Sequence, residues 1–140
     1  MKVAVLAVQG AFIEHEQMLQ TLGVETVELR KKSDLKQDVQ GLILPGGEST
    51  VQGKLIEELG LKKEIQELIQ EGMPVLGTCA GLILLARHLL NDERTYLGTL
   101  PVKVQRNGYG RQLGSFSCEQ PFDKLERFPM KFIRAPFISS

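Results

Sequence analysis

Cys79 sits in Gly77-Thr78-Cys79-Ala80-Gly81, a nucleophile with a glycine two positions away on either side. The apolar Pro74-Val75-Leu76-Gly77 precedes it and the strongly apolar Ala80–Leu90 follows, so the pattern falls between a predicted buried strand and a predicted helix. That is the setting of a nucleophile elbow, in which a tight turn lifts the side chain above the carboxyl edge of a sheet. Small flanking residues are required because strand and helix approach closely there. The helix start favours thiolate over thiol, and its amides can bind an oxyanion. The competing reading is a buried cysteine with two incidental glycines, which leaves the strand–turn–helix context unexplained.

A second cluster, Pro45-Gly46-Gly47-Glu48-Ser49-Thr50, also leaves the carboxyl end of a predicted strand and therefore belongs at the same rim. Adjacent glycines let a backbone turn its N–H groups toward a ligand. No Gly-Lys-Ser/Thr follows, which excludes a Walker-type phosphate loop. Arg106 and Arg134 lie beside the ends of predicted strands. An arginine so placed suits bidentate capture of a carboxylate, although a lone loop arginine reads first as solvated. His15 falls in mid-helix and His88 near the end of the helix after Cys79, so both read as structural or partner-facing. Cys118 has no elbow context and reads as a strand residue.

The 140 residues are 42% hydrophobic and 24% charged, with 17 basic and 17 acidic side chains. This composition predicts one globular domain spanning 1–140, and the zero net charge argues against a nucleic-acid partner. No run reaches the roughly 18 apolar residues of a membrane span. The two cysteines are too few for a disulfide framework or a closed zinc site. At the N-terminus, Val3–Val8 reads as a buried strand rather than a signal peptide, because Gln9-Gly10 interrupts the apolar run. A cytoplasmic location follows as an expectation.

Strands are predicted at Val3–Val8, Val24–Leu29, Gly41–Leu44 and Pro74–Gly77. Helices are predicted at Ala11–Leu22, from Ser49 or Thr50 to Leu59, at Leu61–Glu71 and at Ala80–Leu90, with a short turn at Ser33–Leu35. Apolar strands alternating with helices predict a parallel sheet covered on both faces. After Asn91, Leu100–Gln105 and Gly114–Cys118 read as strands flanking a glycine-rich reversal at Arg106–Gly110. A last strand is predicted at Met130–Ile133.

Four blocks taken in order carry a resemblance: Leu44–Thr50, Gly77–Ala86, Arg106-Asn107-Gly108-Tyr109-Gly110-Arg111-Gln112, and Phe132-Ile133-Arg134-Ala135-Pro136. With Leu6-Ala7-Val8-Gln9-Gly10-Ala11 and Glu14-His15 they resemble the glutaminase subunits of pyridoxal 5′-phosphate synthase, which are class I (triad) glutamine amidotransferases. The likeness runs from residue 1 to about residue 138. The extended Ala80–Ala86 and Arg106–Gln112 matches separate it from amidotransferases of other pathways.

The resemblance implies an α/β fold, a three-layer doubly wound, mostly parallel sheet of the flavodoxin-like kind, incomplete at its C-terminus. It implies that Cys79 is the nucleophile toward L-glutamine. Gly47, Glu48, Ser49, Arg106, Ile133 and Arg134 match substrate-binding positions, and the Gly47 and Ala80 amides match the oxyanion site. No metal or organic cofactor is implied, since pyridoxal 5′-phosphate is made on the partner. That partner is a barrel-shaped synthase subunit, which the Gln9 region and the first helix face and which receives the ammonia. Relatives of this kind run on further and carry a His-Pro-Glu segment that completes the triad. The 140 residues contain none, and neither His15 nor His88 matches that histidine. Two expectations result. One is a stretch of a working glutaminase for vitamin B6 biosynthesis. The alternative is a shortened, inactive domain that binds only the synthase subunit or glutamine. Loss of the tail is expected to expose apolar surface on the sheet.

Overall fold

The computed structural model describes residues 1–90, 92–107, 116–132 and 136–139. The apolar run at the N-terminus forms β1 (Lys2–Leu6), and α1 (Phe12–Thr21) returns the chain to β2 (Glu25–Leu29). A short 3-10 turn at Lys32–Lys36 leads to β3 (Gly41–Leu44). Then come α2 (Ser49–Glu58), α3 (Leu61–Gln70), β4 (Val75–Gly77) and α4 (Ala80–Leu85). The four strands are all parallel, in the order β2-β1-β3-β4. Successive connections from β1 thus run to opposite sides, and the reversal opens a crevice at the strands' carboxyl ends.

Alternation along the central strands divides the core into two layers. Ala4, Leu6, Leu42 and Leu44 pack toward Ile56, Leu61, Ile65 and Leu84 of the helices on one face. Val3, Val5 and Ile43 pack toward Phe12 and Leu19 of α1 on the other. This second face is less fully covered. Leu76 on β4 is 53% exposed and, with Val3, Leu19 and Ile43, lines an open apolar groove.

The predicted helix Ala80–Leu90 is corrected: it ends at Leu85, and Ala86–Leu89 forms β5. Ala86 takes extended backbone angles (φ −61°, ψ 136°), and β5 pairs in parallel with β6 (Leu100–Gln105). The new strand buries Ala86 and Leu89 against Ile83 and Val104. An unbroken apolar run suits a buried helix or a buried strand equally, so its period alone could not locate the change. β7 (Phe116–Phe122) and β8 (Leu125–Phe132) form an antiparallel hairpin turning at Asp123 (φ 52°), and β9 (Phe137–Ile138) pairs with β6. Among the described residues the two strands flanking the glycine-rich segment lie in different sheets, β6 with β5 and β9 and β7 with β8. Cys118 lies in β7, as predicted.

One acidic side chain is poorly accommodated where α1 meets β2. Burial raises the Glu16 carboxyl above its ordinary pKa, helped by the nearby Glu28 and partly opposed by Arg30. Its Oε1 is buried without a partner among the described residues. Since the folded state holds this proton to higher pH than the unfolded chain, stability falls as pH rises above the ordinary carboxyl range. Glu16→Gln is expected to raise the melting temperature at pH 7 by on the order of a degree or two. At pH 3, where glutamate is protonated in both states, the gain should vanish; thermal melts at the two pH values check this.

Candidate active site

The turn between β4 and α4 holds Cys79 at φ 50° and ψ −104°, a conformation rarely adopted by a residue with a side chain, and its side chain is exposed. Hydrogen bonds fix the backbone on both sides. Thr78 N–H donates to the Leu44 carbonyl (3.0 Å), extending the pairing of β3 with β4 past its last residue. Gly81 N–H donates to Thr78 O (2.8 Å) and Leu82 N–H to Cys79 O (3.0 Å), which starts the helix. A Cβ on Gly81 would run into the Leu44 carbonyl, and one on Gly77 would lie 2.7 Å from a Leu85 methyl and 2.9 Å from the Gly81 carbonyl. The glycine spacing read from the sequence is thus a steric requirement of packing α4 across β3 and β4.

The segment between β3 and α2 passes beside this turn. A Cβ on Gly46 would stand 3.5 Å from the Cys79 Cβ. The loop after β1 clamps the segment from its other side. Ala11 N–H donates to Gly46 O (2.9 Å), and Glu48 N–H donates to Gln9 Oε1 (2.9 Å). Gln52, fully buried in α2, ties the two loops together: its Nε2 donates to the carbonyls of Gln9 (3.1 Å) and Pro45 (3.2 Å). The sequence reading missed Gln52, since one glutamine in a mixed helix carries no signal. Neither the Gly47 nor the Ala80 amide has a hydrogen-bond acceptor among the described residues. The Ala80 amide directly follows Cys79 in the chain, and that of Gly47 follows Gly46, whose Cα carries the position facing the Cys79 Cβ. Glu48 is exposed, whereas Ser49 is 2% exposed with its hydroxyl buried and unpartnered.

Arg106 follows the end of β6, where its Nη2 donates to Thr50 Oγ1 in the first turn of α2 (3.4 Å). Its Nη1 lies 3.9 Å from Asp92 Oδ2. A cation therefore lies at the first turn of α2, next to the Gly47–Ser49 segment. The predicted substrate residues Ile133 and Arg134 lie outside the described residues. His15 is more closely involved than its mid-helix position suggested. Its Nε2 is 3.1 Å from Thr78 Oγ1, so α1 reaches the residue immediately before the nucleophile. A mid-helix position could not show which loop His15 would meet. His88 is exposed on β5.

An accessible thiol on a strained turn at the start of a helix is a nucleophile placed for acyl transfer. The chain matches the SNO glutamine amidotransferase family over residues 5–140. "Pyridoxal 5′-phosphate synthase subunit PdxT" of Desulfitobacterium hafniense is 64% identical over 140 residues, covering 100% of this chain and 70% of that protein. The protein of the same name from Haemophilus influenzae is 52% identical over 143 residues, covering 100% and 74%. Among solved structures, one described as a glutamine amidotransferase superposes with a TM-score of 0.87 at 44% identity, covering 99% of this chain and 74% of that one. PurLQS from Thermotoga maritima superposes at 0.62 with 18% identity, covering 94% and 66%, a likeness of fold alone.

Proposed function

Because the chain belongs to the SNO glutamine amidotransferase family, we propose that it is the glutaminase subunit of a pyridoxal 5′-phosphate synthase, hydrolysing L-glutamine to L-glutamate and ammonia. The observation that carries this reading is the Cys79 elbow seated against Gly46, in a chain 64% identical to a PdxT subunit. The Cys79 sulfur attacks the side-chain carbonyl carbon of glutamine. The oxygen becomes an oxyanion, for which the Gly47 and Ala80 amides are the donors. Collapse breaks the carbon–nitrogen bond and releases ammonia, leaving a γ-glutamyl thioester that water cleaves to glutamate and free thiol. The thiol proton leaves with the departing nitrogen. The imidazole that carries it in triad amidotransferases matches neither His15 nor His88.

Arg106 holds the substrate carboxylate, and Gly47, Glu48, Ser49, Ile133 and Arg134 complete the glutamine site. The chemistry requires no metal or organic cofactor. The partner is the synthase subunit, which takes up the ammonia. Supporting a docking face on α1, Ile13 and Met18, together with Leu22 just beyond the helix, are 53%, 62% and 68% exposed. No helix among the described residues is long and apolar enough to cross a membrane.

A glutamine-analogue electrophile tests the site. It is expected to modify Cys79 and not Cys118, with L-glutamine protecting, as read by peptide mass spectrometry. Equal modification of both cysteines, or no protection, would count against an organised glutamine pocket. Labelling without ammonia release in the presence of the synthase subunit would instead favour the binding-only alternative.

A further inference from the structure

We propose that Asp92 is a positioning residue for glutamine binding, holding the Arg106 guanidinium over the start of α2 in the orientation that receives the substrate carboxylate. The proposal rests on the reading of Arg106 as a glutamine contact. Three observations support it. Arg106 is anchored at two points on different elements, Thr50 Oγ1 at 3.4 Å and Asp92 Oδ2 at 3.9 Å. Asp92 is itself immobilised by its neighbour. Arg94 donates its backbone N–H to Oδ1 (2.9 Å), its Nε to both oxygens (3.0 and 3.1 Å) and its Nη2 to Oδ2 (2.8 Å). Those Arg94 bonds, with a smaller contribution from the Arg106 charge, hold the carboxyl down at about 2, so the anchor stays charged throughout the working pH range.

The charge count also matters. One carboxylate stands between two guanidinium groups, so the trio keeps a net positive charge for an incoming anion. A planar guanidinium fixed beforehand loses less freedom on forming its paired bonds than one swinging on a long stem. Asp92 cannot contribute through its charge alone, because a carboxylate near the site repels the substrate carboxylate. Coulomb's law and positioning therefore predict opposite signs for its removal.

Calorimetric titration of the full chain with L-glutamine reads that sign. Asp92→Asn keeps an acceptor for the Arg94 amide and removes the charge on Arg106's anchor. It is expected to weaken glutamine binding about fivefold, and the same substitution on an Arg106→Ala background should add no further loss. Asp92→Glu should recover part of the affinity. Thr50→Val removes the second anchor without touching the Asp92–Arg94 loop, so it should also weaken binding even if Asp92 variants fail to fold. Unchanged or tighter binding by a folded Asp92→Asn protein would overturn the proposal, as would an equal loss with and without Arg106. Should the parent bind glutamine and Arg106→Ala bind it equally well, the assignment of Arg106 fails and the proposal with it. No binding by the parent chain would remove the glutamine-site reading itself.

Discussion

Cys79→Gly is expected to abolish glutamine hydrolysis and at the same time to stabilise the fold. A residue with a side chain held in a sparsely populated region costs on the order of 1–3 kcal/mol, and Cys79 is held at φ 50° and ψ −104°. Glycine occupies that region with little steric cost, although it gives back about 0.5–1 kcal/mol through the greater freedom of the unfolded chain. The net gain should be about 1 kcal/mol, visible as a rise of several degrees in melting temperature. Cys79→Ala is the control that separates sulfur from strain. It should lose activity equally, by several powers of ten in rate when assayed with the synthase subunit, while melting close to the parent. A Cys79→Gly protein that melts below Cys79→Ala would show that no strain is stored at this turn. Retained ammonia release in either variant would end the thioester mechanism.

Gly81→Ala is expected to disrupt the packing of α4 on β3. Local preference alone predicts stabilisation, since alanine exceeds glycine in a helix by about 1 kcal/mol. Tertiary packing predicts the reverse, because the added carbon meets the backbone carbonyl of Leu44. A main-chain oxygen in a paired central strand cannot rotate aside as a side chain can. α4 would have to lift from β3, at a cost of about 1–3 kcal/mol, carrying the Ala80 amide away from its place beside the thiol. Denaturation midpoints, together with the rate of Cys79 alkylation by the glutamine analogue, should both fall. Gly77→Ala meets a Leu85 methyl at 2.7 Å, which can move, and the Gly81 carbonyl at 2.9 Å, a shallower backbone clash than the one at Gly81. It should therefore be milder. Destabilisation by Gly77→Ala that exceeds Gly81→Ala would contradict this ranking.

The contrast between these two glycines shows what local pattern can and cannot convey. The strand–glycine–cysteine–glycine–helix order was legible because an elbow restricts residue size at adjacent positions. β1 and β3 were legible for a similar reason: strands buried on both faces need unbroken apolar runs, and turn residues end them. Ala86–Leu89 was not legible. Its conversion to a strand depends on a partner, Leu100–Gln105, that lies eleven residues further on. The long hairpin of β7 and β8 was only half legible, since its polar residues lack the clear alternation of a strand with one buried face. Gln52, His15 and Asp92 share another difficulty. Each has a polar contact to a residue outside its own element, Gln9 for Gln52, Thr78 for His15 and Arg106 for Asp92, and a single polar residue leaves no periodic trace.

The contact between His15 and Thr78 also gives the molecule a built-in spectroscopic reporter. The chain has only two imidazoles, and the other, His88, faces solvent on β5. In a proton NMR spectrum the two ring signals are easily resolved from the aliphatic envelope and can be followed individually. The His15 ring is coupled to the turn through a 3.1 Å hydrogen bond, so occupancy of Cys79 or movement of α1 changes its resonance. The His88 signal serves as an internal reference. One spectrum can therefore follow the nucleophile and the helix beneath it without any added label.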